Sequence, residues 1–249
     1  MEYFGQDNFL QLASKLITNA ELKNMKTGGF GTRMGFGQSP ALLIVDAQNY
    51  MVGPTDENDK TQYPSACPTA RKTVAVIARL AEAFRAGKRP VFYTRNVARP
   101  DGRDMGVKAL KRRMLHIEGW YLEGTKGAEI APALTPKDED VVLMKRKQSA
   151  FHGTPLLGLL LFAGIDTLVI AGGSTSNCIR ATAIDSSTHN FRTIVPADAV
   201  FDRIQISHVV NLMDIDRQLG DVVGSGEVIS YLSSLPHQES TEAANPIRR

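Results

Sequence analysis

The amino-acid sequence predicts an α/β fold: a doubly wound, mostly parallel six-stranded sheet with helices on both faces. Six short apolar runs alternate along the chain with segments of helical periodicity, the pattern of a parallel sheet built from strand–helix–strand units. The first run, residues 41–45, is apolar at every position, as is typical of a central strand buried on both sides. In such sheets the carboxyl ends of the strands form the ligand-binding edge.

The remaining elements follow from the same periodicities and from glycine and proline at their ends. We predict strands at residues 41–45, 90–94, 141–144, 168–171, 191–195 and 221–223, and helices at residues 69–87, 155–163, 204–219 and 226–234. A short amphipathic helix is also predicted around residues 9–17. We expect an N-terminal arm over residues 1–38, one domain over 39–235 and a polar, disordered tail over 236–249. The glycine-rich residues 28–37 precede a strand, so they do not form a dinucleotide-binding loop, and an extended arm that docks on a neighbouring subunit is expected.

Composition argues against several classes of function. The 249 residues are 43% hydrophobic and 22% charged, which fits one large globular domain. The net charge of +3 gives no reason to expect nucleic acid or a membrane as partner. Two cysteines are too few for a disulfide framework, so we expect a reducing compartment. With no run of transmembrane length and no signal-peptide core, the sequence predicts a soluble cytoplasmic protein that acts on a small molecule.

One stretch, residues 167–189, has the pattern of a nucleophile turn. A buried strand ends at Gly172 and Gly173, small hydroxyl residues follow, and Cys178 falls in the first turn of the next predicted helix. The unpaired N–H groups and the dipole of a helix start favour negative charge, so a thiol there is expected to ionise more easily and an oxyanion to bind. The alternative is that Cys178 is a small buried hydrophobe.

Two further charged residues end predicted strands. Asp46 follows the first strand and Lys145 follows the third, so both lie at the carboxyl edge where Cys178 is also expected. A cation beside the thiol would lower the thiol pKa. Taken alone, Asp46 could instead cap a turn, and Lys145 could be a surface group.

These three segments resemble those of one known family. G-G-S-T-S-N-C-I-R-A-T-A, D-A-Q-N-Y and K-R-K-Q-S-A-F-H-G-T are similar to the site motifs of the isochorismatase-like cysteine hydrolases, over about residues 35–235. The resemblance implies a Cys–Asp–Lys triad in which Cys178 is the nucleophile, Asp46 the acid–base and Lys145 the third member. It also implies an oxyanion hole formed by the N–H groups of Ser174 and Cys178, and a non-proline cis peptide between Gly173 and Ser174.

The histidines narrow the branch of that family. Nicotinamidases hold a metal through Asp and His residues just after the first strand, but no histidine lies between Asp46 and His116 here. Isochorismatases proper lack the cysteine. The resemblance therefore implies the branch of cysteine amidohydrolases that needs neither metal nor cofactor, and within it the chain looks most like the N-carbamoylsarcosine amidases, with the maleamate amidohydrolases close by.

The same resemblance suggests where a substrate binds. An arginine twenty-five residues after the cysteine binds the substrate carboxylate in the N-carbamoylsarcosine amidases, and the matching residue is Arg203; Asn49 and Thr175 are the other expected substrate-binding residues. The alternative for Arg203 is an internal salt bridge with Asp198 or Asp202. Phe201 departs from the pattern, because relatives often have glycine there, and its bulk is expected to affect the pocket.

The expected function is a metal-independent cysteine amidohydrolase that cleaves a small carboxylated amide or ureide, such as N-carbamoylsarcosine, through a thioester. For a carbamoyl substrate the products are an amine, ammonia and carbon dioxide. A maleamate-type amidohydrolase and a ligand-binding member without catalysis are the alternatives, and a dehydrogenase is disfavoured because G-x-G-x-x-G does not follow the first strand. The resemblance also implies a homo-oligomer, a dimer or a tetramer.

The irregular stretch over residues 97–126 leaves two interpretations open. It carries basic residues at four positions, Lys108, Lys111, Arg112 and Arg113. They form either a solvated helix face or a patch that attracts an anionic substrate to the site. Trp120 is either a lid or interface residue or part of the core.

Overall fold

The structure is a computed structural model that describes residue 12 and residues 14–54, 63–112, 117 and 120–236. All strand pairs in the described chain are parallel. The strands are β1 (Pro40–Val45), β2 (Val91–Asn96), β3 (Val141–Lys145), β4 (Thr167–Gly173), β5 (Arg192–Pro196), β6 (Val200–Phe201) and β7 (Asp221–Val223). Six of these were predicted, and the two-residue β6 is an addition whose brevity hid it from the apolar pattern.

The helices also follow the predicted order. They are α1 (Asn19–Thr27), α2 (Asn49–Val52), α3 (Ala70–Ala86), α4 (Val107–Arg112), α5 (Leu156–Phe162), α6 (Arg180–Thr188), α7 (Gln205–Gln218) and α8 (Ser225–Ser234). The sequence analysis missed α1, α2 and α4. Helix α1 has no fully buried residue and begins with a capping box between Thr18 and Glu21. Leu12 and residues 14–16 are helical, as predicted for this region, whereas Phe9 lies outside the described residues.

The strand order is β3-β2-β1-β4-β5-β7, with β6 beside β4. The chain therefore builds one half of the sheet outward from β1 and the other half outward from β4, which is the doubly wound arrangement that the sequence predicts. The order reverses between β1 and β4, and at such a switch point the carboxyl ends of the strands leave a crevice. Asp46 and the turn that carries Cys178 follow these two strands directly.

Two hydrophobic cores cover the two faces of the sheet. On one face, alternate residues of β1 pack with apolar residues of α3 and α8; on the other, they pack with α5, α6 and α7. The apolar stripe of α3 includes Val74, Ile77, Leu80 and Phe84, at the spacing of a single helix face. Because both faces are covered, every residue of β1 is buried, and this explains its uninterrupted apolar sequence. In the described chain no helix combines the length and the apolar character needed to cross a bilayer.

The glycine-rich arm lies against its own chain. The N–H groups of Met34 and Gly35 donate to the carboxylate of Asp221, at 3.0 and 2.8 Å, and those of Gln38 and Ser39 donate to Asp166. These bonds fix the segment at the amino ends of the strands. Carboxylates of its own domain thus hold the end of the arm, and a contact of residues 28–37 with a neighbouring subunit stays a prediction.

Glycine at position 172 is required by the closeness of β1. Gly172 has φ +106°, and a Cβ atom placed on it would lie 2.1 Å from the carbonyl oxygen of Val45. The backbone of β4 therefore approaches β1 more closely at the switch point than any side chain would allow. This contact sets the position of the nucleophile turn relative to Asp46.

We expect Gly172→Ala to lower the free energy of unfolding by more than about 3 kcal/mol, because the methyl group clashes with backbone and the backbone conformation disfavours alanine. The matched control is Gly158→Ala in α5, where a Cβ meets nothing within 4 Å and should stabilise the helix by up to about 1 kcal/mol. Urea unfolding of both variants measures the difference. A loss below about 1 kcal/mol for Gly172→Ala would contradict the proposed backbone constraint.

Candidate active site

Asp46 is fully buried at the end of β1. Its backbone has φ +50°, a conformation in which the chain turns sharply out of the strand. The hydroxyl of Thr94, at the end of the neighbouring strand β2, donates to Asp46 Oδ1 at 2.7 Å. The other oxygen, Oδ2, lies 2.7 Å from Lys145 Nζ. One carboxylate oxygen is thus held by a hydroxyl and the other by an ammonium.

Lys145 is the last residue of β3, and its side chain is fully buried. Its Nζ donates to the carbonyl oxygens of Lys147 and Gln148, at 2.9 and 3.0 Å, and lies 3.4 Å from Cys178 Sγ. Burial alone would lower the pKa of this ammonium, but the charges of Asp46 and Cys178 overcome it and raise the pKa above its ordinary value. The lysine therefore holds a positive charge between the carboxylate and the sulfur.

Cys178 lies in a π-turn, Thr175–Ile179, between β4 and α6, and its side chain is buried. The N–H of Ile179 donates to Ser174 O at 3.1 Å. In an α-turn the N–H of Cys178 would donate to Ser174 O. Because the π-turn contains one more residue, the N–H of Ile179 makes this bond and the N–H of Cys178 does not. The peptide bond between Gly173 and Ser174 is cis, at the position that the family resemblance implied.

The thiol of Cys178 does not have the low pKa that the sequence analysis expected. Burial raises the pKa to about 11; the positive charge of Lys145 opposes this, and the charge and hydrogen bond of Asp46 add to it. The expectation considered the helix start and the cation, but burial of the sulfur outweighs both. At neutral pH the sulfur is consequently a protonated thiol.

The residues after Lys145 form a loop that is tied to the cysteine segment. The N–H of Ala150 donates to the hydroxyl of Thr182 in α6, at 3.0 Å, and the hydroxyl of Thr154 donates to Ala150 O. Ser149 accepts a bond from the N–H of Phe151. Through these contacts the S-A-F residues hold the loop in a conformation that points the carbonyls of Lys147 and Gln148 at Lys145.

The substrate-binding role expected for Asn49 is not supported by its position. Its side-chain amide donates to Lys126 O at 2.9 Å, and its N–H donates to Glu129 O. Gln48 makes a similar bridge from its side chain to Ala128 O at 2.7 Å. Both side chains of the D-x-Q-N motif are buried, and their bonds fix the segment over residues 126–130.

Thr175 is also turned away from the site. Its hydroxyl bonds to Phe201 O, at 3.2 Å, and to Nδ1 of His208, at 2.8 Å, and the residue is fully buried. The substrate-binding role expected for its side chain stays a prediction; in this structure the hydroxyl joins the nucleophile turn to α7. No local pattern indicates this contact, because His208 lies thirty-three residues further along the chain.

Arg203 does line a cleft beside the cysteine turn. The cleft has a volume of about 590 Å³ and is bordered by Val107, Lys108, Lys111, Gln148, Ser174, Ser176, Asn177, Asp202, Arg203, Ile204 and Ser207. Arg203 Nε donates to Ser65 O at 2.7 Å, and no described carboxylate lies within salt-bridge distance of its guanidinium. The alternative of a salt bridge to Asp198 or Asp202 is therefore not realised, and its two Nη groups remain able to bind a ligand.

The irregular stretch supplies another wall of the site. Trp120 is buried and stacks on Tyr50, with ring centroids 5.4 Å apart, and Tyr121 packs against both rings. Lys108 Nζ lies 5.2 Å from the centroid of the Tyr121 ring. Of the open alternatives, Trp120 is thus a core residue, and two members of the basic cluster, Lys108 and Lys111, face the cleft. Arg113 lies outside the described residues.

Phe201 does not narrow the cleft. Its side chain is fully buried, and a Cβ atom on Gly173 would lie 2.1 Å from the Phe201 ring. The ring therefore packs against the cis peptide, and Phe201 is not among the residues that border the cleft. Among the described residues no group of three or more His, Cys, Asp and Glu side chains is arranged to hold a metal ion.

We expect the reactivity of Cys178 to follow its raised pKa. Its alkylation rate by iodoacetamide should rise about tenfold per pH unit from pH 7 to 9.5, because only the thiolate reacts, and show no plateau in this range. Mass spectrometry of the Cys178 peptide measures the rate, and the Cys67 peptide, whose thiol pKa burial raises to about 12, is the internal control. A plateau near pH 8 would show that the thiol is already ionised at neutral pH.

His208 should make stability depend on pH. Burial lowers its pKa from 6.5 to about 4, so the unfolded chain binds a proton that the folded protein excludes between these values. Stability is therefore full above about pH 6.5 and falls by about 3 kcal/mol as the pH is lowered to about 4. Urea unfolding of wild type and His208→Gln, whose amide can still bond Thr175, measures this. Equal pH dependence in both proteins would contradict it.

Comparison with known proteins agrees with this geometry. The isochorismatase domain family matches residues 40–227 of the chain. The N-carbamoylsarcosine amidase of an Arthrobacter species is 34% identical over 220 residues, covering 86% of this chain and 78% of the relative. The maleamate amidohydrolase of Pseudomonas putida is 37% identical over 208 residues, covering 84% of this chain and 93% of the relative.

A solved structure extends the comparison to the fold. The crystal structure of an isochorismatase family protein from Desulfovibrio vulgaris is similar with a TM-score of 0.71 at 32% identity, covering 79% of this chain and 100% of that one. The family match spans most of the chain, and each aligned region covers most of this chain and most of the relative. The chain therefore belongs to the isochorismatase family.

Proposed function

We propose that the protein is a cysteine amidohydrolase that cleaves a small carboxylated amide or ureide, such as N-carbamoylsarcosine, through a thioester. The observation that carries the proposal is that residues from the ends of three different strands meet at one point. Lys145 Nζ lies 2.7 Å from Asp46 Oδ2 and 3.4 Å from Cys178 Sγ. A thiol, a carboxylate that can accept its proton and a fixed cation are the groups that nucleophilic attack on an amide requires. The similarity to amidohydrolases supports the same reaction class.

In the first half of the reaction, the thiol proton moves to Asp46 as Sγ attacks the carbonyl carbon. The positive charge of Lys145 stabilises the sulfur as its negative charge develops. The carbonyl oxygen becomes an oxyanion, which the N–H groups of Ser174 and Cys178 bind in this proposal. Asp46 then gives its proton to the leaving nitrogen, the C–N bond breaks, and a thioester remains on Cys178.

In the second half, one water molecule attacks the thioester and its proton passes to Asp46. The C–S bond breaks, the sulfur takes the proton back, and the acid product leaves. With a carbamoyl substrate this product is a carbamic acid, which decomposes, so that one amine, one ammonia and one carbon dioxide form for each water consumed. No step needs an electron acceptor or a metal-bound nucleophile.

The charge of the cleft supports a substrate with a carboxylate. Arg203 has a guanidinium whose planar fork can donate two parallel bonds, and it shares the cleft with Ser174 and Ser176 of the nucleophile turn. A carboxylate bound there holds the scissile carbonyl next to the turn. A maleamate-type amide, in which a single carboxylate also stands near the scissile bond, is the second candidate, and the 37% identity to a maleamate amidohydrolase favours it.

An ammonia-release screen with N-carbamoylsarcosine, other N-carbamoyl amino acids, maleamate and nicotinamide tests the proposal. We expect activity on a carboxylated amide or ureide and none on nicotinamide, which carries no carboxylate. Cys178→Ala should reduce turnover by at least about a thousandfold, whereas Cys67→Ala, which removes the other cysteine, should stay within about twofold. Near-normal turnover in Cys178→Ala would disprove the mechanism.

The other two members of the triad need a control for stability. Asp46→Asn and Lys145→Met each leave one buried charge without its partner, which costs about 3–5 kcal/mol. The double variant Asp46→Asn/Lys145→Met is neutral again and is expected to recover most of this stability but no activity. Recovery of turnover in the double variant would show that the pair serves the fold alone.

A further inference from the structure

We infer that Thr94 is a positioning residue, whose hydroxyl makes Oδ2 the oxygen of Asp46 that takes the proton of Cys178. The inference rests on the proposed function and adds a side chain to those on which that reaction depends. Its basis is the direction of the hydrogen bonds between Thr94 and Asp46, together with the surroundings of Thr94 in the sheet.

Thr94 occupies a position in the sheet where its strand neighbours are apolar. It lies in β2, pairs with Val45 of β1 on one side and with Leu143 of β3 on the other, and is buried. A valine has the same shape and suits a buried strand equally well, whereas a buried hydroxyl costs free energy unless it is hydrogen-bonded. What distinguishes threonine from valine at this position is therefore the bond to Asp46.

The direction of this hydrogen bond follows from the contacts of both groups. The backbone N–H of Asp46 donates to Thr94 Oγ1 at 3.2 Å, so a lone pair of the hydroxyl oxygen is occupied there. The proton of the hydroxyl is directed at Asp46 Oδ1, 2.7 Å away. Since a hydroxyl has a single proton, this contact holds Oδ1 as a hydrogen-bond acceptor.

This bond makes the two carboxylate oxygens of Asp46 unequal. A proton on Oδ1 would turn the acceptor of the Thr94 bond into a hydroxyl oxygen, which accepts more weakly than a carbonyl oxygen. A proton on Oδ2 leaves Oδ1 as the carbonyl oxygen of the neutral acid, and the bond from Thr94 persists. Proton uptake at Oδ2 is therefore favoured, and the orientation of the carboxyl group stays the same throughout the transfer.

Lys145 completes the arrangement on the side of Oδ2. An ammonium has three protons, and two of those on Lys145 are directed at the carbonyl oxygens of Lys147 and Gln148. The third serves Asp46 Oδ2, at 2.7 Å, and the same nitrogen lies 3.4 Å from Cys178 Sγ. When the thiol proton moves from Sγ to Oδ2, this third N–H is released from the carboxylate and bonds the thiolate.

The titratable groups whose charges interact with that of Asp46 include Lys145 in β3, Cys178 in the π-turn and Tyr50 in α2. Burial and then the charge of Asp46 raise the pKa of Tyr50 well above its ordinary value, and burial raises the pKa of the Cys178 thiol to about 11. Although burial opposes it, the charges of Asp46 and Cys178 raise the pKa of Lys145. These three groups therefore keep their charge in acid, and a shift of the acidic limb of the rate between variants reports on Asp46.

The test compares two substitutions that separate the hydroxyl of Thr94 from its methyl group. Thr94→Val keeps the shape and removes the hydroxyl, whereas Thr94→Ser keeps the hydroxyl and removes the methyl. The matched control is Thr193→Val in β5, which also removes the hydroxyl of a fully buried strand residue, one that donates to Ser186 Oγ at 2.7 Å. The pH profile of kcat/KM is measured on the substrate found in the ammonia-release screen, and urea unfolding measures the stability of each variant.

We expect Thr94→Val to lose about ten- to a hundredfold in kcat/KM and the acidic limb of its profile to move up by about one pH unit, because a carboxylate that loses a hydrogen-bond donor keeps a proton more readily. Thr94→Ser and Thr193→Val should stay within about threefold of wild type, with an unchanged limb. A Thr94→Val variant with the kcat/KM and the limb of wild type, or an equal loss in Thr94→Ser, would overturn the inference.

The outcomes separate this inference from the proposed function. If wild type cleaves an amide or ureide and the Thr94→Val and Thr94→Ser variants behave alike, the inference alone fails. If wild type cleaves none of the substrates in the screen, the proposed function fails and the inference fails with it. Should Thr94→Val be too unstable to assay, Thr94→Ala, which differs from Thr94→Ser by the hydroxyl alone, is judged by the same criteria.

Discussion

The buried ion pair between Asp46 and Lys145 is the interaction on which the rest of the site depends. Both side chains are inaccessible to solvent, and two charges removed from water are tolerated only when they are close together and their remaining bonds are satisfied. The structure meets this demand by turning the loop after β3 so that two backbone carbonyls bind the ammonium, and by placing the Thr94 hydroxyl on the carboxylate. The conformation of the S-A-F loop and the position of Thr94 in β2 therefore meet the same requirement, that the two buried charges be hydrogen-bonded.

The second constraint is the backbone contact between β1 and β4. Gly172 lets the two strands approach so closely that no side chain fits between them, and the ring of Phe201 closes the opposite side of Gly173. The chain then leaves β4 through a cis peptide and a π-turn, which together bring Cys178 to the ammonium. Because the glycines fix the start of the turn and Lys145 fixes its end, a displacement at either point would separate the sulfur from the ion pair.

The sequence was a good guide to whatever depends on residue type and spacing along one segment. Six of the strands, the longer apolar helices and the placement of Asp46, Lys145 and Cys178 at or just after strand ends were visible as apolar periodicity followed by a polar residue. What the sequence did not show depends on distant partners: Asn49 and Thr175 have their bonds to Lys126 and His208, and a local pattern cannot distinguish such a contact from one to a substrate. The thiol pKa was misjudged for the same reason, because burial is a property of the whole fold.

The raised pKa of the thiol has a simple electrostatic meaning within this triad. A carboxylate, an ammonium and a neutral thiol carry no net charge, whereas ionising Cys178 by loss of its proton to solvent would leave a net negative charge in a buried space, which burial and Asp46 both disfavour. Transfer of the same proton to Asp46 gives a neutral acid, an ammonium and a thiolate, and again no net charge. The desolvation cost of adding a charge is then avoided, so the arrangement favours proton transfer inside the triad over prior ionisation. In the proposed reaction the thiolate is therefore generated when a substrate carbonyl is present to receive the sulfur electrons, and the sulfur otherwise stays a thiol.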